Sequence, residues 1–273
     1  TFLSSNMEFM PEVAKFRAAR RVWAKLMRET YGSKDPRSEQ LRIFVFTAGS
    51  SLTAQQPLNN VVRTSIEALA AAMGGCQTMH VCAFDEALGV PTEAAATLAL
   101  RTQQIVAFET GLTDLVDPLG GSELLERLTD QLEAEVMAEM DKIVDLGGAL
   151  ACIESGYFAT RLSDSAYETA IAIDTGKRKV VGVNSFVSDT AEFEVFTIDH
   201  ESEARQIESL LRVKEKRDQS QVTHTLEGLS KAAHDGINIV PAVVLAVKAY
   251  ATVGEITDVL REVYGKWEPT SSF

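Results

Sequence analysis

The sequence predicts an α/β protein with a mostly helical second part, and three observations predict it. Thr1–Ser5, Leu41–Thr47 and Thr78–Cys82 are short runs of β-compatible residues. Roughly 40 residues separate successive strand starts, room for the crossover that parallel strands require. After about residue 115 strand signals thin out and helical periodicity dominates. Repeated βα units belong either to a doubly wound sheet or to part of a (β/α)8 barrel. Three units cannot close a barrel, so their sheet edges need covering by something else.

The elements follow in order. Thr1–Ser5 is the first strand. Pro11–Tyr31 is a helix, with Val13, Phe16, Trp23, Leu26 and Met27 near one face and Pro11 suited to a first turn. Arg17, Arg20 and Arg21 read as a solvated face of it or a contact with a partner chain. Gly32–Pro36 is a loop. Leu41–Thr47, nearly all apolar, reads as a strand buried on both faces. A helix from Pro57 to Met73 ends at Gly74 and Gly75. Thr78–Cys82 is the third strand, and Thr92 caps a helix that runs to Glu109.

Beyond 115, Glu123–Leu146 is a long acidic amphipathic helix. Ala149–Gly156 and Asp164–Thr175 are helices, Lys179–Val183 a strand and Glu192–Ile198 a further extended piece. Ser202–Gln219, His224–His234, Val240–Tyr250 and Glu255–Tyr264 complete the helices. The parts are therefore 1–115, with the three strands, and 116–273, the helical extension.

Composition excludes several functions. The chain has 273 residues, 45% hydrophobic, with a formal net charge of −13. So acidic a chain is a poor nucleic-acid or anionic-membrane binder. No apolar run is long enough to cross a membrane. Three cysteines, Cys76, Cys82 and Cys152, make neither a disulfide framework nor a metal set, and point to a cytoplasmic home. The histidines have no ligand spacing, so no metal site is expected. Gly120 and Gly121 belong to no phosphate-loop pattern, which argues against a nucleotide-binding reading.

An ordered set of motifs carries a resemblance. Phe16-Arg17-Ala18-Ala19-Arg20-Arg21 precedes a long run from Thr47-Ala48-Gly49-Ser50-Ser51-Leu52-Thr53-Ala54-Gln55-Gln56-Pro57 to Arg63-Thr64. Phe84-Asp85-Glu86-Ala87-Leu88, Arg101-Thr102-Gln103-Gln104, Asp117-Pro118-Leu119-Gly120-Gly121-Ser122, Gly182-Val183-Asn184 and Ala251-Thr252-Val253-Gly254-Glu255 follow. The set resembles the large subunit of the adenosylcobalamin-dependent acyl-CoA mutases, the methylmalonyl-CoA mutase family, across essentially the whole chain.

The resemblance implies that the three strands are the last three of a (β/α)8 barrel threaded by CoA. It implies a radical carbon-skeleton rearrangement, with the cofactor carrying the chemistry. The cobalt-binding Asp-x-His-x-x-Gly motif is absent, so cobalt would be held by another domain or a small cobalamin-binding subunit. The earlier part of the barrel would be a further partner. Glu86 matches a carboxylate that holds the adenosyl ribose, a task that suits two acceptor oxygens. Cys82 matches a usual Asn and Phe46 a usual Gln, both on the adenosyl side; Phe44 matches a usual His. These three departures put methylmalonyl-CoA in doubt as substrate and suggest a more apolar acyl pocket for a branched or short acyl chain. Arg37 matches a Lys that contacts CoA, and Thr78 a hydroxyl lining the CoA channel. A solvated Arg and an ordinary strand Thr are the plain readings of those two. His80 is taken as a packed strand histidine, and no catalytic residue is assigned. A non-catalytic, mutase-like assembly subunit is the alternative.

Overall fold

A computed structural model describes residues 1–188, 193, 195–197 and 199–268. Two compact units result, one of residues Thr1–Phe196 and a second beginning at Thr197. The composition changes near residue 115, but the packing of the first unit runs on past it.

The first unit is built on three parallel strands in the order β1 (Phe2–Ser5), β2 (Phe44–Thr47) and β3 (Thr78–His80). The register places Phe2 beside Phe44 beside Thr78, and Ser4 beside Phe46 beside His80. Side chains alternate across a strand, so these six share one face. Leu3, Val45 and Met79 share the other. On that second face lie Phe16 of helix α1 (Phe9–Lys25) and Ala71 of helix α2 (Asn59–Met73), with Ile43 filling between them. Helix α3 (Glu93–Glu109) adds Ala95 and Ala99 against Ala68, Val81 and Ala83. The small residues let the helix backbones approach the sheet closely.

The opposite face stays open. Phe2 is 74% exposed and Phe46 39%, with Phe2 and Phe44 meeting edge to face at 5.3 Å. The sequence run Leu41–Thr47 predicted burial on both sides; the structure covers only one.

Helix α4 (Glu123–Asp145) lies along α1. Leu125 is fully buried against Val13, Ala14 and Ala70. The arginine cluster expected on a solvated face does this docking. Arg17 donates to Glu126 at 2.7 Å and to Asp117 at 3.0 Å, Arg21 pairs with Asp130 at 2.7 Å, and Arg20 turns inward to the carbonyl of Gly74 at 2.6 Å. Helices α5 (Gly148–Glu154) and α6 (Tyr157–Asp174) continue the layer. Helix α6 starts seven residues before the expected Asp164, just after Gly156, whose φ of 73° breaks the preceding helix.

Lys179–Val183 does not form a strand. Asn184 gathers the segment around itself, its Oδ1 accepting from the Val180 N–H at 2.7 Å and its Nδ2 donating to the carbonyls of Ile173 and Arg178. The result is a turn with one isolated bridge between Val181 and Ser185. The extended piece expected at Glu192–Ile198 falls largely outside the described residues.

The second unit holds helices α7 (His200–Lys216), α8 (Gln219–His234), α9 (Val240–Lys248) and α10 (Val253–Tyr264). Leu229, Ala246 and Ile256 form its core. Thr252 and Glu255 make a reciprocal capping box at the start of α10. Arg217 grips the Glu255 carboxylate through both terminal nitrogens, at 2.6 and 2.8 Å, and holds it down to about 2. Among the described residues no helix is long and apolar enough to cross a membrane.

Candidate functional site

In a parallel sheet the loops after the strands share one rim, and ligand chemistry gathers there. Here the rim is tied together by short bonds. The Ala48 N–H donates to the Ser5 carbonyl at 2.8 Å, joining the ends of β1 and β2. The Cys82 N–H donates to Thr47 Oγ1 at 2.8 Å, joining β2 to the chain after β3. Residues Ala48–Ser51 then form a single turn, with the Leu52 N–H on the Gly49 carbonyl at 3.0 Å.

Glu86 projects from the loop after β3, and its carboxylate lies directly on Gly49. A Cβ at residue 49 would overlap Glu86 Oε1, so the glycine is what lets the carboxylate sit there. Glu86 is itself exposed. Its loop is rigid for two reasons that the sequence did not advertise. Asp85 is buried and accepts from both the N–H and the hydroxyl of Thr92 at 2.9 Å, locking the loop to the start of α3. Asn60, buried in the first turn of α2, donates to the carbonyls of Phe84 at 2.8 Å and Thr53 at 2.9 Å. It thereby fastens the loop after β3 to the loop after β2. The only sequence signals were an Asn just after Pro57 and an Asp beside Glu86.

Cys82 is buried, and its thiol donates to the Thr47 carbonyl at 3.0 Å. Burial first, and then the neighbouring Glu86, push it up to about 12. It is a neutral thiol already engaged within the protein, not a nucleophile. Phe46 and Phe44 stand on the open sheet face, and Thr78 stands on the same face beside Phe44. His80, expected to be packed, is exposed beside Phe46. Arg37 is not brought to this site. It lies in the exposed loop before β2 and pairs with Asp35 at 3.0 Å.

The arrangement offers an exposed carboxylate able to accept two hydroxyl donors at the rim, and a sheet face on which Phe2, Phe44 and Phe46 stand with Ser4, Thr78 and His80. Among the described residues no cluster of three His, Cys, Asp or Glu side chains is placed to hold a metal ion.

Comparison with known proteins adds an independent finding. A family model described as methylmalonyl-CoA mutase matches residues 1–266. The chain is 41% identical to a 2-hydroxyisobutanoyl-CoA mutase large subunit from Aquincola tertiaricarbonis, over all of this chain and 49% of that one. It is 40% identical to a methylmalonyl-CoA mutase large subunit from Streptomyces virginiae and 41% identical to a methylmalonyl-CoA mutase from Escherichia coli (strain K12). Each of those matches spans 97% of this chain and 37% of the relative. The chain thus spans about half the length, or less, of these relatives.

Proposed function

The chain belongs to the methylmalonyl-CoA mutase family, and from that premise we propose that it supplies one wall of the substrate and cofactor pocket of an adenosylcobalamin-dependent acyl-CoA mutase. The observation that carries this reading is the Glu86 carboxylate seated on Gly49, at the carboxyl rim of three parallel strands and next to an open phenyl face.

The sheet is read as the last three strands of a (β/α)8 barrel. Support comes from its one-sided covering, since a barrel interior is lined by alternate side chains of every strand. Phe2, Phe44, Phe46, Thr78 and His80 would then face inward. The CoA arm would run from Thr78 toward Phe46, with Arg37 near its phosphate end. The polypeptide that completes the barrel and a cobalamin-binding subunit are the partners required.

The residues present fit an adenosyl group in one respect and not in others. Glu86 can accept from both ribose hydroxyls. Cys82 adds nothing polar, because its thiol is spent on Thr47, and Phe46 adds only apolar surface. When bound, adenosylcobalamin supplies the radical chemistry that moves a group between neighbouring carbons. This chain's part is to hold the ribose at Glu86 and to keep water from the acyl group with its phenyl face. Phenyl rings at Phe44 and Phe46, where the family resemblance implies polar side chains, favour an apolar branched or short chain over one bearing a second carboxylate.

The test is reconstitution. The chain is expected to show no turnover alone, and to convert an apolar acyl-CoA when combined with the completing polypeptide, a cobalamin-binding subunit and adenosylcobalamin. Turnover by the lone chain overturns the reading. An assembled complex that binds the cofactor and turns over no acyl-CoA assigns the chain an assembly role instead.

A further inference from the structure

Beneath the rim lies a group that the proposed reaction does not use. Glu67, on the inner face of α2, is 0% exposed, and neither of its carboxyl oxygens has a hydrogen-bond partner. Only its backbone is engaged, the carbonyl accepting from Ser5 Oγ at 2.8 Å. A buried carboxylate without a partner is far costlier than a buried neutral acid.

The charged neighbours relieve it little, Arg63 being the weakest of the causes that act on it. Arg63, one turn earlier in α2, spends its guanidinium on Asn60 Oδ1 at 2.6 Å, Thr53 Oγ1 at 2.9 Å and the Val181 carbonyl at 2.7 Å. From α1, Glu12 adds a like charge, and Lys15 is held by Glu12 and by the Ser4 carbonyl. From the end of β3, Cys82 is a neutral thiol, with Glu86 beyond it. The nearest donors, the Ala48 N–H and the Ser51 hydroxyl of the turn, draw the Glu67 carboxyl down somewhat, but both are committed elsewhere. The Ala48 N–H serves Ser5, and Ser51 Oγ donates to the Ala48 carbonyl at 2.8 Å. Burial, more than any other cause, pushes the Glu67 carboxyl up to about 7.

We propose that Glu67 is a positioning residue: enclosed without a hydrogen-bond partner next to the Ala48–Ser51 turn, it leaves that turn's donors free to close the turn on which the Glu86 carboxylate rests. Ionisation makes the closed turn unfavourable, because the charge must then reach water or take the donors that hold the turn. The role assigned to Glu86 rests on the proposed function; the effect on the turn does not.

The turn reports directly through amide hydrogen exchange at Ala48, Ser51 and Leu52, measured as protection factors on the full assembly from pH 6 to 8. In the wild type, protection is expected to fall about tenfold in all between pH 6 and 8, most of it below pH 7, because a raised carboxyl loses its stabilisation as pH climbs to its enclosed value near 7 and the slope flattens once the enclosed group ionises as well. E67Q, neutral at every pH, is expected to lose the pH dependence. E67M, apolar and of similar length, serves if the amide does not fold and is expected to behave alike. Adenosylcobalamin affinity is expected to follow the same profiles. Constant wild-type protection, or an unchanged slope in either variant, overturns the proposal. If the assembly binds no adenosylcobalamin at any pH, the functional reading falls, and the turn amides still decide on Glu67.

Discussion

Replacing Gly49 by alanine separates the seat of Glu86 from everything else at the rim. Gly49 lies in the short 3-10 turn of residues Gly49–Ser51, outside the left-handed region that favours glycine. The backbone therefore accepts alanine, and such a change typically adds about 0.4–1 kcal/mol of stability by narrowing the unfolded ensemble. What the new methyl meets is Glu86. It overlaps Oε1 and stands 3.4 Å from the carboxyl carbon. Carbon and oxygen need roughly 3.5 Å, so the carboxylate must swing away by about 1 Å. A hydrogen bond to a charged group is worth about 1.5–3 kcal/mol and fails at that displacement. At about 1.4 kcal/mol per tenfold, adenosylcobalamin should bind the reconstituted assembly roughly 10- to 100-fold more weakly.

Absorbance titration measures the affinity, and thermal unfolding checks that the fold is not weakened. Glu86→Ala should lose a similar amount, and the double variant little more, since both changes remove one interaction. Wild-type affinity in Gly49→Ala alongside weak binding in Glu86→Ala would show that Glu86 acts from some other position. Equal additive losses would show that the two residues act separately.

Other perturbations test other levels. Phe46→Gln puts a polar amide on the open face, and should raise the KM for an apolar acyl-CoA about 5- to 100-fold, the cost of burying an unpaired amide at about 1–3 kcal/mol; equal KM values across an acyl-chain panel would detach Phe46 from the pocket. Leu125→Ala removes the fully buried side chain between α4 and α1 and should cost about 2–5 kcal/mol in urea unfolding, whereas a near-zero loss would mean that the arginine ion pairs alone dock α4. Glu255, held down to about 2 by Arg217, contributes stability that is full above the ordinary carboxylate range and is lost as pH falls toward 2. Arg217→Gln should therefore flatten the acid dependence of amide protection at the start of α10, and an unchanged slope would refute the pairing's role.

Much of this was legible in the residues, and the exceptions have physical causes. The three strands and their connecting helices follow from apolar runs and glycine stops, with Thr92 capping α3 as read. Strand ends were overcalled, because apolar content continues past the last ladder bond: Val81 and Cys82 are buried beyond β3. Lys179–Val183 has strand composition, but a single Asn184 side chain three bonds strong converts it to a turn. The arginines of α1 were misread because the pairing of Arg17 and Arg21 depends on α4, 109 residues away in sequence. Long-range polar contacts of this kind leave no local period to detect. Glu86 was singled out through a motif, but the buried Asp85, Asn60 and Glu67 were not. A buried polar side chain and a solvated one look alike in a sequence; only packing distinguishes them.

The open sheet face ties the fold to the function. A three-stranded parallel sheet covered on one side leaves two edges and a phenyl surface facing water, which stable parallel sheets avoid. Helix packing here is complete on one side only: Leu3, Val45 and Met79 meet α1 and α2, while on the other side Phe2 and Phe46 stay exposed. Such a surface is stabilised by being enclosed, and in the proposed barrel further strands and an acyl chain would enclose it, with Phe46, Thr78 and the Glu86 rim around one ligand. On the proposed reading, the same exposed area that weakens the isolated wall would make assembly and ligand binding favourable together. Lone chain should bind a hydrophobic dye strongly and lose that binding on meeting the completing polypeptide. Dye binding unchanged by assembly would mean that the phenyl face looks outward, and the barrel reading would fail with it.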